Sequence, residues 1–307
     1  MMNVINATLP VDTGNGLYLD LKEGKDFGAT LASRYILAEP YPHIVIDNFL
    51  PTEFINMLLT NFPKESLSGD YIHEGGYAGH HKRQIFPNDC NEFSRKAFDF
   101  FNSAPFLQFL EGLTSIDGII SDPYFAGGGF HEISRGGKLG IHADFRVNNK
   151  LHLSRRLNVL IYLNKDWKGE YGGELEIWDR GMKSKVKSIA PLLNRCVIFN
   201  TDADSYHGHP DPLNTPHEVK RRSLALYYYT ASRKIYEDLP AYSTMYAARP
   251  ADGAEVRRQV MALNAVNYKK DWVPPALSSP KLLLPPAIYR KIKTALNWVK
   301  ARKEPKA

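Results

Sequence analysis

A mostly β domain with flanking helices is the fold class the sequence predicts, on three observations. Between about residues 118 and 230 the chain breaks into seven or so short runs of branched and aromatic residues, punctuated by "GGG", "RGG", "NKDWKGEYGG" and "DPLNTP". Ahead of them, two segments repeat apolar residues at helical spacing. No apolar run approaches the ~18 residues needed to cross a bilayer. So many short strands in one stretch predict a sandwich, jelly roll or barrel with a helical layer beside it.

Taken in order, residues 1–38 show no clean period and are expected to form an irregular N-terminal arm with one or two edge strands. "PYPHIVIDNF" at 40–49 reads as a strand by its branched and aromatic content. "LPTEFINMLLTNFP" follows, with Pro51 in the first helical turn and Phe54, Met57, Leu58 and Phe62 on one face. Residues 91–116 read as two helices broken at Pro105. Strands are then expected near 121–134, 139–145, 156–164, 173–178, 185–190, 195–201 and 220–230.

Beyond residue 231 the chain turns Pro-rich and irregular and ends in a basic helix with Ile288, Ile292, Ala295, Leu296 and Val299 on one face. The expected organisation is therefore an arm (1–38), a β-rich domain (39–231) and an extension (232–307). Residues 290–307 carry seven cations against Glu304, which accounts for the whole +6 net charge. The rest of the chain is neutral, so no nucleic-acid partner is expected. The final helix is expected to dock on its own domain, with contact to a membrane surface or partner through 288–303 as the alternative.

Only Cys90 and Cys196 are present, and the N-terminus lacks the basic-then-apolar order of a secretion signal. A reducing, cytoplasmic setting is expected.

Two His-x-Asp triplets stand out, His142 with Asp144 and His209 with Asp211. Ten histidines and 18 aspartates among 307 residues supply about 0.6 such triplets by chance, so context must separate the two. In an extended strand residues i and i+2 share a face, so His142 and Asp144 can reach one ion together. His209 precedes Pro210 in a turn-rich run, a poorer setting for a strand. Two histidines and one carboxylate on one face of an octahedral ion leave three positions open, as in non-haem Fe(II) oxygenases. His207, His209 and His217 compete to complete the set, and His217 is disfavoured because it lies only four residues before Arg221 on the next strand. Arg221 is suited to a carboxylate because its fork binds two oxygens at once, and Arg222 points the other way, towards a surface salt bridge.

Five ordered segments carry a resemblance: "PYPHIVIDNFLP", "GGKLGIHADF", "LNVLIYLNKDWKGEYGGELEIWD", "CVIFNTDADSYHGHPDPL" and "RRSLALYYYT". Together, over about residues 40–231, they resemble the prolyl 4-hydroxylase-like group of Fe(II)- and 2-oxoglutarate-dependent dioxygenases. The resemblance implies a double-stranded β-helix (jelly roll) with helices packed on one sheet. It implies His142, Asp144 and His207 as iron ligands, and Arg221 with Tyr162 as the pair binding the distal carboxylate of 2-oxoglutarate. It further implies O2 as oxidant and ascorbate as reductant. Asn158 and Leu160 share a strand face with Tyr162 and are expected to border the pocket too, and whether His131 or Asn158 contacts 2-oxoglutarate is left open. His80 and His81 are read as a solvent-exposed loop, and Trp178 and Tyr227 as core or pocket-sealing aromatics.

The expected activity is hydroxylation of an aliphatic carbon, in a prolyl residue of a protein or in a small molecule. Two other classes compete: a non-catalytic β-helix binding module, and an adaptor recruited through the basic C-terminal helix.

Overall fold

The computed structural model describes residues 4–14, 16–148, 150–231 and 244–271. In chain order the elements are β1 (Val4–Asn6), α1 (Leu21–Ile36), β2 (His43–Asp47), α2 (Thr52–Thr60), β3 (Tyr71–His73), β4 (His80–Ile85), α3 (Glu92–Phe101), α4 (Ala104–Thr114), β5 (Ile120–Ser121), β6 (Gly129–Ala143) and β7 (Val147–Asn148). They continue as β8 (Leu153–Tyr162), β9 (Leu175–Trp178), β10 (Lys185–Ile189), β11 (Cys196–Asn200), β12 (His207–His209), β13 (Arg221–Thr230), β14 (Met245–Tyr246) and α5 (Ala254–Asp271). The fold is a jelly roll of mostly antiparallel strands with helices against one sheet. The larger sheet runs β1-β2-β11-β8-β13-β6 and continues to β4 and β3; the smaller joins β10, β9, β12, the far half of β6 and β14.

Side-chain alternation divides the larger sheet. On β8, Leu157, Val159 and Ile161 enter the core shared with Phe54, Phe98, Phe101, Phe106 and Phe109 from α2, α3 and α4. Leu224, Leu226 and Tyr228 of β13 join them. The intervening Asn158, Leu160, Tyr162, Ser223 and Tyr227 line a pocket between the two sheets. A period of two thus separates the apolar core from the polar interior.

Residues 91–116 form two helices as expected, but the break falls at Asn102–Ser103 and Pro105 occupies the first turn of α4, where its missing N–H costs nothing. The N-terminal arm is not irregular. Its edge strand β1 pairs in parallel with β2, and residues 21–36 form α1, capped by the Asp20 carboxylate accepting from the Glu23 N–H at 2.9 Å. Its buried face is Gly24, Gly28, Leu31 and Tyr35. A Cβ at Gly28 would lie 2.2 Å from the Phe109 carbonyl oxygen, and one at Gly112 of α4 would lie 2.2 Å from that of Lys25. The two helices therefore touch backbone to backbone. Alanine gains up to about 1 kcal/mol of helix propensity over glycine, but this clash has no flexible partner to yield. Gly28→Ala is accordingly expected to destabilise by about 1–3 kcal/mol, seen as a lower urea midpoint at unchanged slope.

The extension also differs from expectation. Residues 254–271 are helical, and β14 adds to the edge of β6, Tyr246 opposite His142. The expected basic helix at 288–303 lies outside the described residues. Among the described residues no helix is long and apolar enough to cross a membrane. Cys90 and Cys196 are both free and buried.

Candidate metal centre and carboxylate pocket

Strand β6 organises the site by belonging to both sheets. Its first half pairs with β13 and β4, and its second half with β12. The change falls at Gly136 and Gly137, where Gly136 takes φ +78°. Past this corner His142 comes directly opposite His207.

His142, Asp144 and His207 converge, with one ligand atom from each inside a 4.8 Å cluster, all three buried. His142 Nδ1 lies 2.8 Å from the Gly140 carbonyl and His207 Nδ1 lies 3.0 Å from that of Ser205. Carbonyls only accept, so Nδ1 carries a proton in each ring and Nε2 is the atom turned towards the centre. Both Nε2 atoms face Asp144, at 3.6 Å and 3.5 Å from its two oxygens. Burial pushes the His207 pKa down to about 4, against a smaller upward pull from Asp144, so the ring is neutral at physiological pH. That is the state a metal ion requires of a histidine ligand.

Asp144 is held from behind. Its Oδ2 accepts from Asn158 Nδ2 at 2.7 Å and lies 3.1 Å from Arg155 Nη2. Burial alone would raise the carboxyl pKa, but Arg155, His207 and His142 outweigh it and hold the group well below the usual carboxylate range. Arg155 in turn donates to Asn158 Oδ1 at 2.6 Å and stacks on Tyr227 at 3.6 Å. With Oδ2 so engaged, Oδ1 is the freer oxygen. Two imidazoles and one fixed carboxylate, buried and aimed at one point, fit a divalent metal of the facial-triad kind.

Arg221 and Tyr162 line the same pocket. Arg221 Nε donates to the Gly173 carbonyl at 2.8 Å, and Nη2 lies 3.4 Å from the Tyr162 hydroxyl. Burial raises the Tyr162 pKa despite the opposing Arg221, so the phenol keeps its proton as a donor.

His131 and Asn158 both border the pocket. His131 is bonded through Nε2 to the Gly127 carbonyl at 2.9 Å, while Asn158 is engaged with Asp144 and Arg155. His209 lines the pocket beside the triad but outside it, and His217 is exposed. Asp211 of the second triplet pairs instead with Arg249 at 2.9 Å, so that triplet is incidental. Arg222 turns outward to Glu132 at 2.7 Å, as its register requires. Tyr227 lines the pocket, whereas Trp178 bonds Glu176 at 2.9 Å and stays outside it.

The sequence reading missed three features. Arg155 and Lys82 line or brace the site, yet each stands beside a second basic residue, and only strand register tells which of the two turns inward. His80 and His81 do not lie on a loop. They begin β4, with a left-handed φ of 49° at His81, and both reach Glu74. Finally, the Tyr246 ring lies 5.7 Å from that of His142, tilted by 39°, and β14 is clamped to α5 by Asn264, which bonds the Tyr246 N–H and carbonyl at 2.7 Å each.

Several buried histidines have pKa values below the ordinary 6.5: His43 and His207 at about 4, and His131 and His209 well below. The unfolded chain therefore binds more protons than the folded one below pH 6.5, and stability falls as pH drops from there towards 4. Thermal melts of the metal-free protein are expected to show a Tm that declines as pH falls through that window.

Residues 128–229 match the family model of the 2OG-Fe(II) oxygenase superfamily. No curated protein matches the chain in sequence. Among solved structures, the chain is similar to a prolyl hydroxylase from Trichoplax adhaerens in complex with a hypoxia inducible factor peptide fragment, at 16% identity and TM-score 0.48, covering 68% of this chain and 91% of that one. A Pseudomonas putida prolyl-4-hydroxylase aligns at 16% identity and TM-score 0.47, covering 67% of this chain and 100% of the other. A prolyl 4-hydroxylase structure from Phytophthora capsici aligns at 15% identity and TM-score 0.44, covering 96% and 94%.

Proposed function

From the premise that residues 128–229 place this chain in the 2OG-Fe(II) oxygenase superfamily, we propose that it hydroxylates an aliphatic carbon, with His142, Asp144 and His207 holding iron and Arg221 with Tyr162 binding the distal carboxylate of 2-oxoglutarate. The observation that carries the reading is the convergence of the buried triad and the Arg221–Tyr162 pair on one pocket. When bound, iron with 2-oxoglutarate and O2 supplies the oxidation that turns C–H into C–OH as 2-oxoglutarate becomes succinate and CO2.

The chain's own residues orient and protect that chemistry. The carbonyls of Gly140 and Ser205 fix both imidazoles by their Nδ1 protons, and Asn158 and Arg155 fix the carboxylate. The Arg221 fork matches a carboxylate, and the Tyr162 hydroxyl adds a neutral donor. Ile133, Leu160 and Leu175 give the pocket apolar walls that keep water from the reacting carbon.

A prolyl residue in a protein is the leading substrate within this proposal, ahead of a free small molecule, and ascorbate is the external reductant. A cytoplasmic setting is part of the proposal too, supported by two cysteines that are both free and buried. The expected result is a weak visible charge-transfer band when 2-oxoglutarate is added to the anaerobic Fe(II) protein. A protein that binds iron and 2-oxoglutarate without this band does not chelate one through the other, and the reading fails.

A further inference from the structure

The pocket carries more positive charge than 2-oxoglutarate accounts for. Of the residues lining it, Lys82 and Arg221 are cations and Asp144 is the one acid. A histidine that ligates a metal is neutral, and burial holds the pKa of the lining His131 well below its ordinary value. A divalent iron adds two charges and the 2-oxoglutarate dianion removes two, so the filled pocket keeps one positive charge. Arg155, braced behind Asp144, adds to it.

Lys82 is where that charge resides. Arg221 of β13 and Lys82 of β4 stand on opposite sides of the same β6 residue, Ile133. They are thus two strands apart, roughly 10 Å between Cα atoms, and Tyr162 lies beyond Arg221 on the far side from Lys82. Arg221 is already committed to Gly173 and Tyr162, whereas Lys82 makes no hydrogen bond or ion pair among the described residues. Burial lowers its pKa to about 8, Asp144 opposing and Arg221 assisting, which leaves the ammonium mostly charged at neutral pH. Holding it there does nothing for the ion pairing of the fold.

Across the pocket on β12, His209 is 4% exposed, and neither of its ring nitrogens has a hydrogen-bond partner among the described residues. A buried imidazole N–H without an acceptor is costly, and an anion on Lys82 would supply that acceptor.

We propose that Lys82 and His209 form a subsite for an anionic group of the primary substrate, a carboxylate or phosphate carried near the carbon to be oxidised, separate from the Arg221–Tyr162 end. This rests on the oxygenase reading above, and deepens it by naming the substrate's charge. A prolyl substrate would then present an acidic neighbour or its own free carboxylate.

The test uses the full chain as the anaerobic Fe(II) protein and the 2-oxoglutarate charge-transfer band as readout. Absence of the band in the unaltered protein refutes the oxygenase reading, and this is read before any probe is added. With the band present, 2-oxoglutarate half-saturation is expected to move less than about threefold in Lys82→Met, where loss of a carboxylate partner would cost tenfold or more. Acetate, phosphate and the neutral isostere acetamide are then titrated into the 2-oxoglutarate-saturated protein. One or both anions are expected to shift the band at concentrations where acetamide does not. Lys82→Met should require at least about tenfold more anion, and Lys82→Arg should restore the response. The relative potency of acetate and phosphate identifies the anion class. The proposal is overturned if Lys82→Met raises 2-oxoglutarate half-saturation as Arg221→Ala does, since Lys82 would then serve the cosubstrate. It is equally overturned if acetamide matches the anions, if no probe shifts the band, or if the anion response survives in Lys82→Met.

Discussion

Asp144→Ala is expected to abolish iron-dependent succinate formation and to destabilise the metal-free protein, two effects that are measured separately. For binding, the substitution removes the one anionic donor among three ligand atoms, leaving two neutral imidazoles whose hold on a divalent ion is far weaker. Loss of supporting contacts alone costs metal sites about 10- to 100-fold, so loss of the ligand itself should exceed that. For stability, the carboxylate is also the partner of Arg155, which is buried and stacked on Tyr227. Removing one member of a buried pair costs about 3–5 kcal/mol because the other charge stays behind. Asp144→Asn separates the two effects. Its amide oxygen can still accept from Arg155 and Asn158, so the melt should recover part of the loss, while iron titration should remain poor. An Asp144→Ala protein that binds Fe(II) with unchanged affinity would remove the triad from the iron site. His207→Ala should lose iron as Asp144→Ala does, and His209→Ala should keep it, because only the first ring joins the cluster.

The contrast between His207 and His209 also marks how far the sequence alone reaches. Both sit on one short strand at i and i+2, and alternation turns both inward. Distance along the strand decides: His207 lies opposite His142, while His209 lies opposite Leu139. Register of this kind is a long-range property that spacing does not encode. The central strands were legible because β8 and β13 alternate apolar and polar residues over ten positions each. That same alternation correctly set Asn158, Leu160 and Tyr162 on one face and turned Arg222 away. Helix α1 was not legible, since half of its buried face is glycine, and a glycine contributes no apolar signal until α4 packs against it. Strand β14 has two residues and exists only by pairing with Ala143 and His142. Lys82 and Arg155 stand as Lys-Arg and Arg-Arg pairs in which one member faces inward and the other does not, a difference that appears only once the sheets are assembled.

Arg221→Ala carries the second large effect, and it should fall on 2-oxoglutarate rather than on iron. The guanidinium contributes both the charge and a planar pair of donors to the far end of the pocket, and it touches none of the three triad side chains. Truncating one side of a buried charge pair typically costs about 2–5 kcal/mol, which converts to about a thirtyfold or greater rise in 2-oxoglutarate half-saturation. Fe(II) affinity, read in the absence of 2-oxoglutarate, should change little. Arg221→Lys should recover only part of the loss, since an ammonium supplies the charge without the fork and gives up the bond from Nε to the Gly173 carbonyl. Tyr162→Phe makes the complementary cut, removing a hydroxyl 3.4 Å from Arg221 Nη2 while keeping the ring beneath the guanidinium. A neutral hydrogen bond is worth less than a charged one, so its effect should be about tenfold or smaller. If the two residues act on the same carboxylate, the double substitution will cost less than the two single effects combined, because Tyr162 has little left to orient once Arg221 is gone. Strict additivity would mean that the hydroxyl and the guanidinium serve different groups, and the distal carboxylate would then need another partner in the pocket.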